Sequence, residues 1–151
     1  MYSALAALHL LAALLWLGGL LFLGAVGAPV LRTLEPAVRA RLFEALGVRF
    51  RAIGWVAIGV LVGTGLAMVY RLGVFSTPDL LWTTPFGRAL VLKWSVVAVM
   101  LVISALHDFK YGPAARASER ARRVSALLGR ANGALALALV YLAVLVTHRG
   151  G

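Results

Sequence analysis

Four side chains in this sequence carry chemistry that an apolar chain has little other use for: His9, Met68, Lys93 and His148. Imidazole and thioether together suit copper, and the thioether favours Cu(I). His9, His148 and Met68 are therefore the candidate metal ligands. Two imidazoles on facing helices also suit six-coordinate haem b iron. In that case Arg71, Arg88 or Arg149 would pair with the propionates, because guanidinium binds carboxylate in a bidentate fork, and Lys93 would sit at the cofactor. Hydrolytic zinc is a poorer match, since it wants a third histidine or a carboxylate. Hard divalent cations want more oxygen ligands than Asp79 alone can give. There is no cysteine among the 151 residues, which excludes disulfides, iron–sulfur clusters and thiol catalysis. No P-loop or dinucleotide fingerprint is present.

The elements that must position these groups are membrane helices. The chain is 62% hydrophobic and 13% charged, with a mean hydropathy of +0.95. Soluble domains are about 45–50% apolar and about 25% charged. Residues 4–31 and 52–70 hold no charge, residues 89–106 hold only Lys93, and residues 131–147 hold none. Each run can cross a hydrocarbon core, which takes about 20 helical residues. The expected fold is all-α: a four-helix up-down membrane bundle in one domain over 1–151. Its helices are expected near 3–31, 52–71, 86–107 and 130–148. The first run lacks a basic leader and is too long for a signal peptide core, so it is expected to remain as the first span. Pro29 near its inner end is a tolerable break. Val38, Leu42, Leu46 and Phe50 recur every four residues, which predicts a short interfacial helix over 35–51 in the first connection.

Basic residues set the orientation. The first connection carries Arg32, Arg39, Arg41, Arg49 and Arg51, and the third carries Lys110, Arg116, Arg120, Arg122, Arg123 and Arg130. The second has only Arg71 and Arg88. The first and third connections are thus expected in the cytoplasm, with both termini outside. The formal charge of +10 then reports topology, and no nucleic acid is expected as a partner. The lipid bilayer is.

On this topology the chemical residues converge in depth. His9 lies about 9 Å and Lys93 about 13 Å below the outer surface, at about 1.5 Å per residue. Met68 and His148 sit near the outer ends of the second and fourth helices. Lys93 either joins a site there or snorkels outward. His9 shares a face with Trp16, and Tyr141 shares one with His148. Lys93, Met100 and His107 form a stripe down the third helix, expected to be a bundle-facing seam with polar ends. Gly18, Gly19, Gly24 and Gly27, and the G-x-x-x-G of Gly59 and Gly63, let helices approach closely. They serve packing within the chain or a homo-oligomer face.

Leu8-His9 followed by Trp16-Leu17-Gly18-Gly19 resembles the opening helix of CopD-type copper resistance membrane proteins. The run Thr84-Pro85-Phe86-Gly87-Arg88, followed by Leu92-Lys93, is similar to that family's third-helix signature. The resemblance covers most of the chain and implies copper uptake or tolerance at the bacterial inner membrane. The His-and-Lys pattern is also similar to HemJ-type, haem b-associated membrane proteins, with His9 as the implied ligand and Lys93 as a helper. The chain departs from that second pattern at the start of the first connection and around His107. A haem-loaded protein would be an oxidoreductase; a copper-handling one need not be an enzyme.

Periplasmic reporter fusions placed after residue 151 should be active, and cytoplasmic reporters there silent. Activity confined to cytoplasmic reporters would reverse the orientation drawn from the basic connections.

Overall fold

The computed structural model describes the backbone of residues 2–115 and 117–149, and the side chains of 3–115 and 117–144. Among these residues every regular element is helical. Four helices are long and apolar enough to cross a membrane: Ser3–Arg32, Pro36–Arg71, Pro85–Ala114 and Glu119–Val144. The last continues as helix to Arg149. This is the all-α membrane class expected from the apolar runs, because only helices or closed barrels satisfy the backbone in lipid.

The first span runs through Pro29 without breaking. It widens to π geometry at Leu14–Gly18 and again at Leu23–Gly27. The second widening lies just before Pro29, whose ring crowds the carbonyl four residues back and which offers that turn no N–H. The span ends in a tight turn at Thr33, where the backbone N–H donates to Val30 O at 3.1 Å.

The second helix departs from expectation. The segment over 35–51 is helical, but it is not a separate interfacial piece: it is continuous with the span through Arg71. Glu35 is extended, as a residue before proline must be, and Pro36 opens the helix at its first turn, where a missing N–H is harmless. The four-residue rhythm of Val38, Leu42, Leu46 and Phe50 continues in phase through Gly54 and Ile58. Gly47 alone costs about 1 kcal/mol, too little to end a helix whose face carries on. At 36 residues the helix is about 54 Å long at 1.5 Å per residue, well beyond the ~30 Å hydrocarbon core.

The fourth helix also starts earlier than 130. Ser118 caps it, its hydroxyl accepting from Ala121 N at 3.3 Å. Glu119 pairs with Arg122 and, at 3.0 Å, with Arg123. A capped first turn with i,i+3 and i,i+4 ion pairs is enough to keep the basic stretch helical.

The second connection contains a short helix, Leu80–Thr83. It folds onto the start of the third span. Thr84 is extended, its hydroxyl accepts from Gly87 N at 2.9 Å, and Pro85 fills the first helical position. A Cβ on Gly87 would collide with the Leu80 carbonyl and the Leu81 backbone. The run Thr-Pro-Phe-Gly is thus a cap followed by a close backbone crossing. The third span then widens at Leu106–Tyr111, just ahead of Gly112-Pro113.

Contacts group the chain into two compact units, Met1–Phe75 and Ser76–Gly151. In the first, the first and second spans pack side by side. In the second, the short helix and the fourth span pack on the third.

Thr84→Ala should lower stability by about 1 kcal/mol, the usual worth of such a cap. Gly87→Ala should lower it further, because backbone and not a movable side chain is in the way. Thermal unfolding of the full chain in detergent would read both, and an unchanged midpoint for Gly87→Ala would refute the crossing.

Candidate functional site

In the first unit, two close contacts lock the pair of spans. The Trp16 ring, in the first widened turn and 4% exposed, lies against Gly54: a Cβ there would stand 3.6 Å from Trp16 Cδ1. The Phe50 ring crosses Gly19 so closely that a Cβ would collide with it. Gly19 is therefore spent on packing within the chain. Gly59 and Gly63, by contrast, are exposed and would meet nothing within 4 Å.

With Trp16 pinned, His9, seven residues earlier on the same face, reaches the second span. Its Nδ1 lies 2.8 Å from Thr64 Oγ1. Thr64 is 6% exposed. Its hydroxyl donates its one hydrogen back to Val60 O at 2.6 Å, with Leu61 O at 3.3 Å. The oxygen can therefore only accept from the imidazole. This places the His9 hydrogen on Nδ1 and the lone pair of the neutral ring on Nε2. Metal-binding imidazoles are held in the same way, the non-ligating N–H given to an acceptor that fixes tautomer and ring plane. Met68 lies one turn beyond Thr64 on the same face of its helix, half-buried, about 6 Å further along the axis. Arg71 is exposed three residues on. An apolar groove of about 470 Å³ runs between the first and second spans, lined by Leu8, Leu11, Leu15, Ile53, Val56 and Val60 among others but not by His9.

The other candidates belong to the second unit. Arg88 is exposed in the first turn of the third span, and Lys93 is half-buried below it. His148 lies on the fourth helix, but its side chain is outside the described residues, as is that of Arg149. Among the described residues no group of three His, Cys, Asp or Glu side chains is placed to hold a metal ion.

The stripe on the third span is a seam against the fourth, as expected. Asn132 Nδ2 donates to Ser104 Oγ at 2.8 Å, and His107 Nε2 lies 3.9 Å from where a Gly129 Cβ would be. This antiparallel register brings position 100 opposite 136 and position 93 opposite 143. Met100 and Ala136 are both wholly buried. At the far end of the seam from Lys93, His107 Nδ1 pairs with Asp108 Oδ1 at 2.9 Å.

Three polar residues at these crossings, Thr64, Ser104 and Asn132, were not singled out from sequence. Threonine and serine satisfy themselves by bonding back to their own helix, so their presence in a span is no signal. Asn132 was legible in principle: an amide inside an uncharged run has no such escape.

Residues 44–146 match the family described as copper resistance protein D, CopD. The chain belongs to the CopD family. The matched stretch contains Thr64, Met68, the Thr84–Arg88 cap, Lys93 and the Ser104–Asn132 seam, whereas His9 lies well before it and His148 just beyond it. The chain is also 36% identical, over 138 residues, to an uncharacterized protein of Aquifex aeolicus (strain VF5), covering 91% of this chain and 89% of that one. No solved structure matches. As a CopD-family chain with four candidate spans, this is a multi-pass membrane protein related to copper resistance.

Thr64→Val keeps the shape and removes the acceptor. The His9 ring nitrogens, read by ¹⁵N NMR on the labelled protein, should lose the single Nδ1–H tautomer and show a mixture. Stability should fall by about 1–3 kcal/mol, the cost of an unsatisfied buried donor. An unchanged tautomer signature would show that Thr64 does not orient the ring.

Proposed function

We propose that this CopD-family protein handles copper as cargo at the bacterial inner membrane, engaging Cu(I) at the His9 end of its spans. The observation that supports this most directly is the His9–Thr64 hydrogen bond. It commits Nδ1 to Thr64, so Nε2 would be the nitrogen offered to copper. A soft monovalent ion of low coordination number needs only one or two further donors, and thioether sulfur is a preferred one. Met68, four residues beyond Thr64 on the same helix face, is the proposed thioether donor. His148, on the fourth helix, is the second imidazole of the proposed site. The basic first and third connections favour a cytoplasmic location for themselves, which puts both termini and the His9 end outside, where copper arrives. Few charged ligands suit a transit site, since cargo must leave as well as enter.

A second reading is a haem b redox protein, for which the apolar groove between the first and second spans offers a hydrophobic wall. His9 would be the ligand, Arg71, Arg88 or Arg149 would pair with the propionates, and Lys93 would be a helper group.

Cu(I) titration of the purified full chain in nanodiscs, against a chromophoric chelator, separates these. His9→Ala and His148→Ala should each lose most of the affinity, and the double variant should lose little more, because ligands of one centre act non-additively. Thr64→Val should weaken binding by about 10–100-fold, the usual effect of removing the group that orients a ligand. Cu(I) affinity unchanged in His9→Ala would overturn the copper reading. A Soret band in the protein as purified, lost in His9→Ala, would establish the haem reading instead.

A further inference from the structure

The groove between the first and second spans is left unused by the copper reading. It runs lengthwise, from Leu8 and Val60 at one end to Leu15 and Ala52 at the other. From residue 52 to 60 that is about 12 Å of helix. Every side chain lining it is aliphatic, around a volume of about 470 Å³. Such a slot offers no hydrogen bond to a water or an ion. What fits it is an unbranched hydrocarbon chain.

The residue beyond its Ala52 end supplies a partner for a charged head. At about 100° per residue, Ala52, Ile53, Val56, Ala57 and Val60 centre on one face of the second helix, and Arg49 falls at the centre of that same face. Arg49 is exposed. No acidic side chain among the described residues pairs with it. Glu44, the nearest in sequence, lies about 140° round the helix from it. The uncharged run begins at Ala52. Arg49 therefore sits about 4.5 Å beyond the hydrocarbon end of its helix, at the level of headgroup phosphates.

We propose that this groove binds one anionic phospholipid, with an acyl chain lying along it and the headgroup phosphate held by Arg49. Guanidinium meets phosphate through two parallel hydrogen bonds. An anionic headgroup is favoured because the stretch from Arg32 to Arg51 carries five arginines against Glu35 and Glu44, and each basic residue near the membrane surface adds attraction to anionic lipid. The acyl chain fills the open flank of the paired spans, and the phosphate fixes the depth at which the pair sits. The site does not depend on the copper reading.

The test is native mass spectrometry of the purified full chain, titrated in detergent with phosphatidylglycerol or phosphatidylcholine. One phosphatidylglycerol should stay bound per chain, and phosphatidylcholine should be held more weakly. Arg49→Gln should lower phosphatidylglycerol affinity about fivefold and remove the preference. Val56→Trp should lower the affinity for both lipids by filling the groove. Val56 is 70% exposed, so the larger ring leaves the packed face undisturbed. Arg41→Gln, an exposed arginine about two turns further along, should leave both affinities nearly unchanged. Equal losses in Arg41→Gln and Arg49→Gln would overturn the proposal in favour of diffuse charge attraction. Lipid binding unchanged by Val56→Trp would overturn it too. So would a Soret band lost in that variant, which would give the groove to haem.

Discussion

A histidine or asparagine inside a membrane span cannot satisfy itself on its own helix as serine or threonine can, and its need for a partner on a neighbouring helix fixes how the spans of each unit pair. Among the described residues, His9 bonds to Thr64 in the first unit and Asn132 to Ser104 in the second. Their net strength is small. Interhelical hydrogen bonds in membranes average about 0.6 kcal/mol and reach about 1.7. They do not hold the helices together. What they do is penalise every other rotation and register, because a histidine or asparagine turned to lipid loses several kcal/mol. The apolar contacts could slide, since one leucine-rich face is much like another.

Once the register is fixed, the close contacts follow from residue size. Trp16 needs Gly54 opposite it, and Phe50 needs Gly19. Met100 fills its level because Ala136 is small. The widened turns of the first span lie at Trp16 and just before Pro29. The first carries a large ring at the interface; the second absorbs the donor that proline lacks. The run Thr84-Pro85-Phe86-Gly87 has an equally local reading. It stops the short helix, caps the third span and admits the backbone of Leu80 to within contact, so its appearance in the CopD-like signature has a structural basis independent of copper.

The chemistry then depends on what the partner leaves over. Thr64 has one hydrogen, given to its own helix, so it can act toward His9 only as an acceptor. Asp108 has none and acts toward His107 in the same way. Both rings thereby carry their hydrogen on Nδ1, one near the start of the first span and one near the end of the third. Soft-metal affinity is proposed for the first.

The sequence by itself determined the class and the spans. Uncharged runs of the right length admit only helices in lipid, and Trp16, His9, Met100 and His107 fall on inward faces by the 3.6-residue period alone. The Arg and Lys counts in it, which need no coordinates, give an expected orientation. What it could not determine was where helices stop. The second span absorbs the segment over 35–51 because the apolar phase is unbroken, and the fourth begins at Glu119 because a serine cap and ion pairs outweigh a basic composition. Nor could it reveal which polar residues meet. Thr64 and Ser104 look self-sufficient in one dimension, since each can bond to its own helix. Only the antiparallel register of two packed helices decides that one accepts from His9 and the other from Asn132, because that choice rests on distances between residues 28 and 55 positions apart.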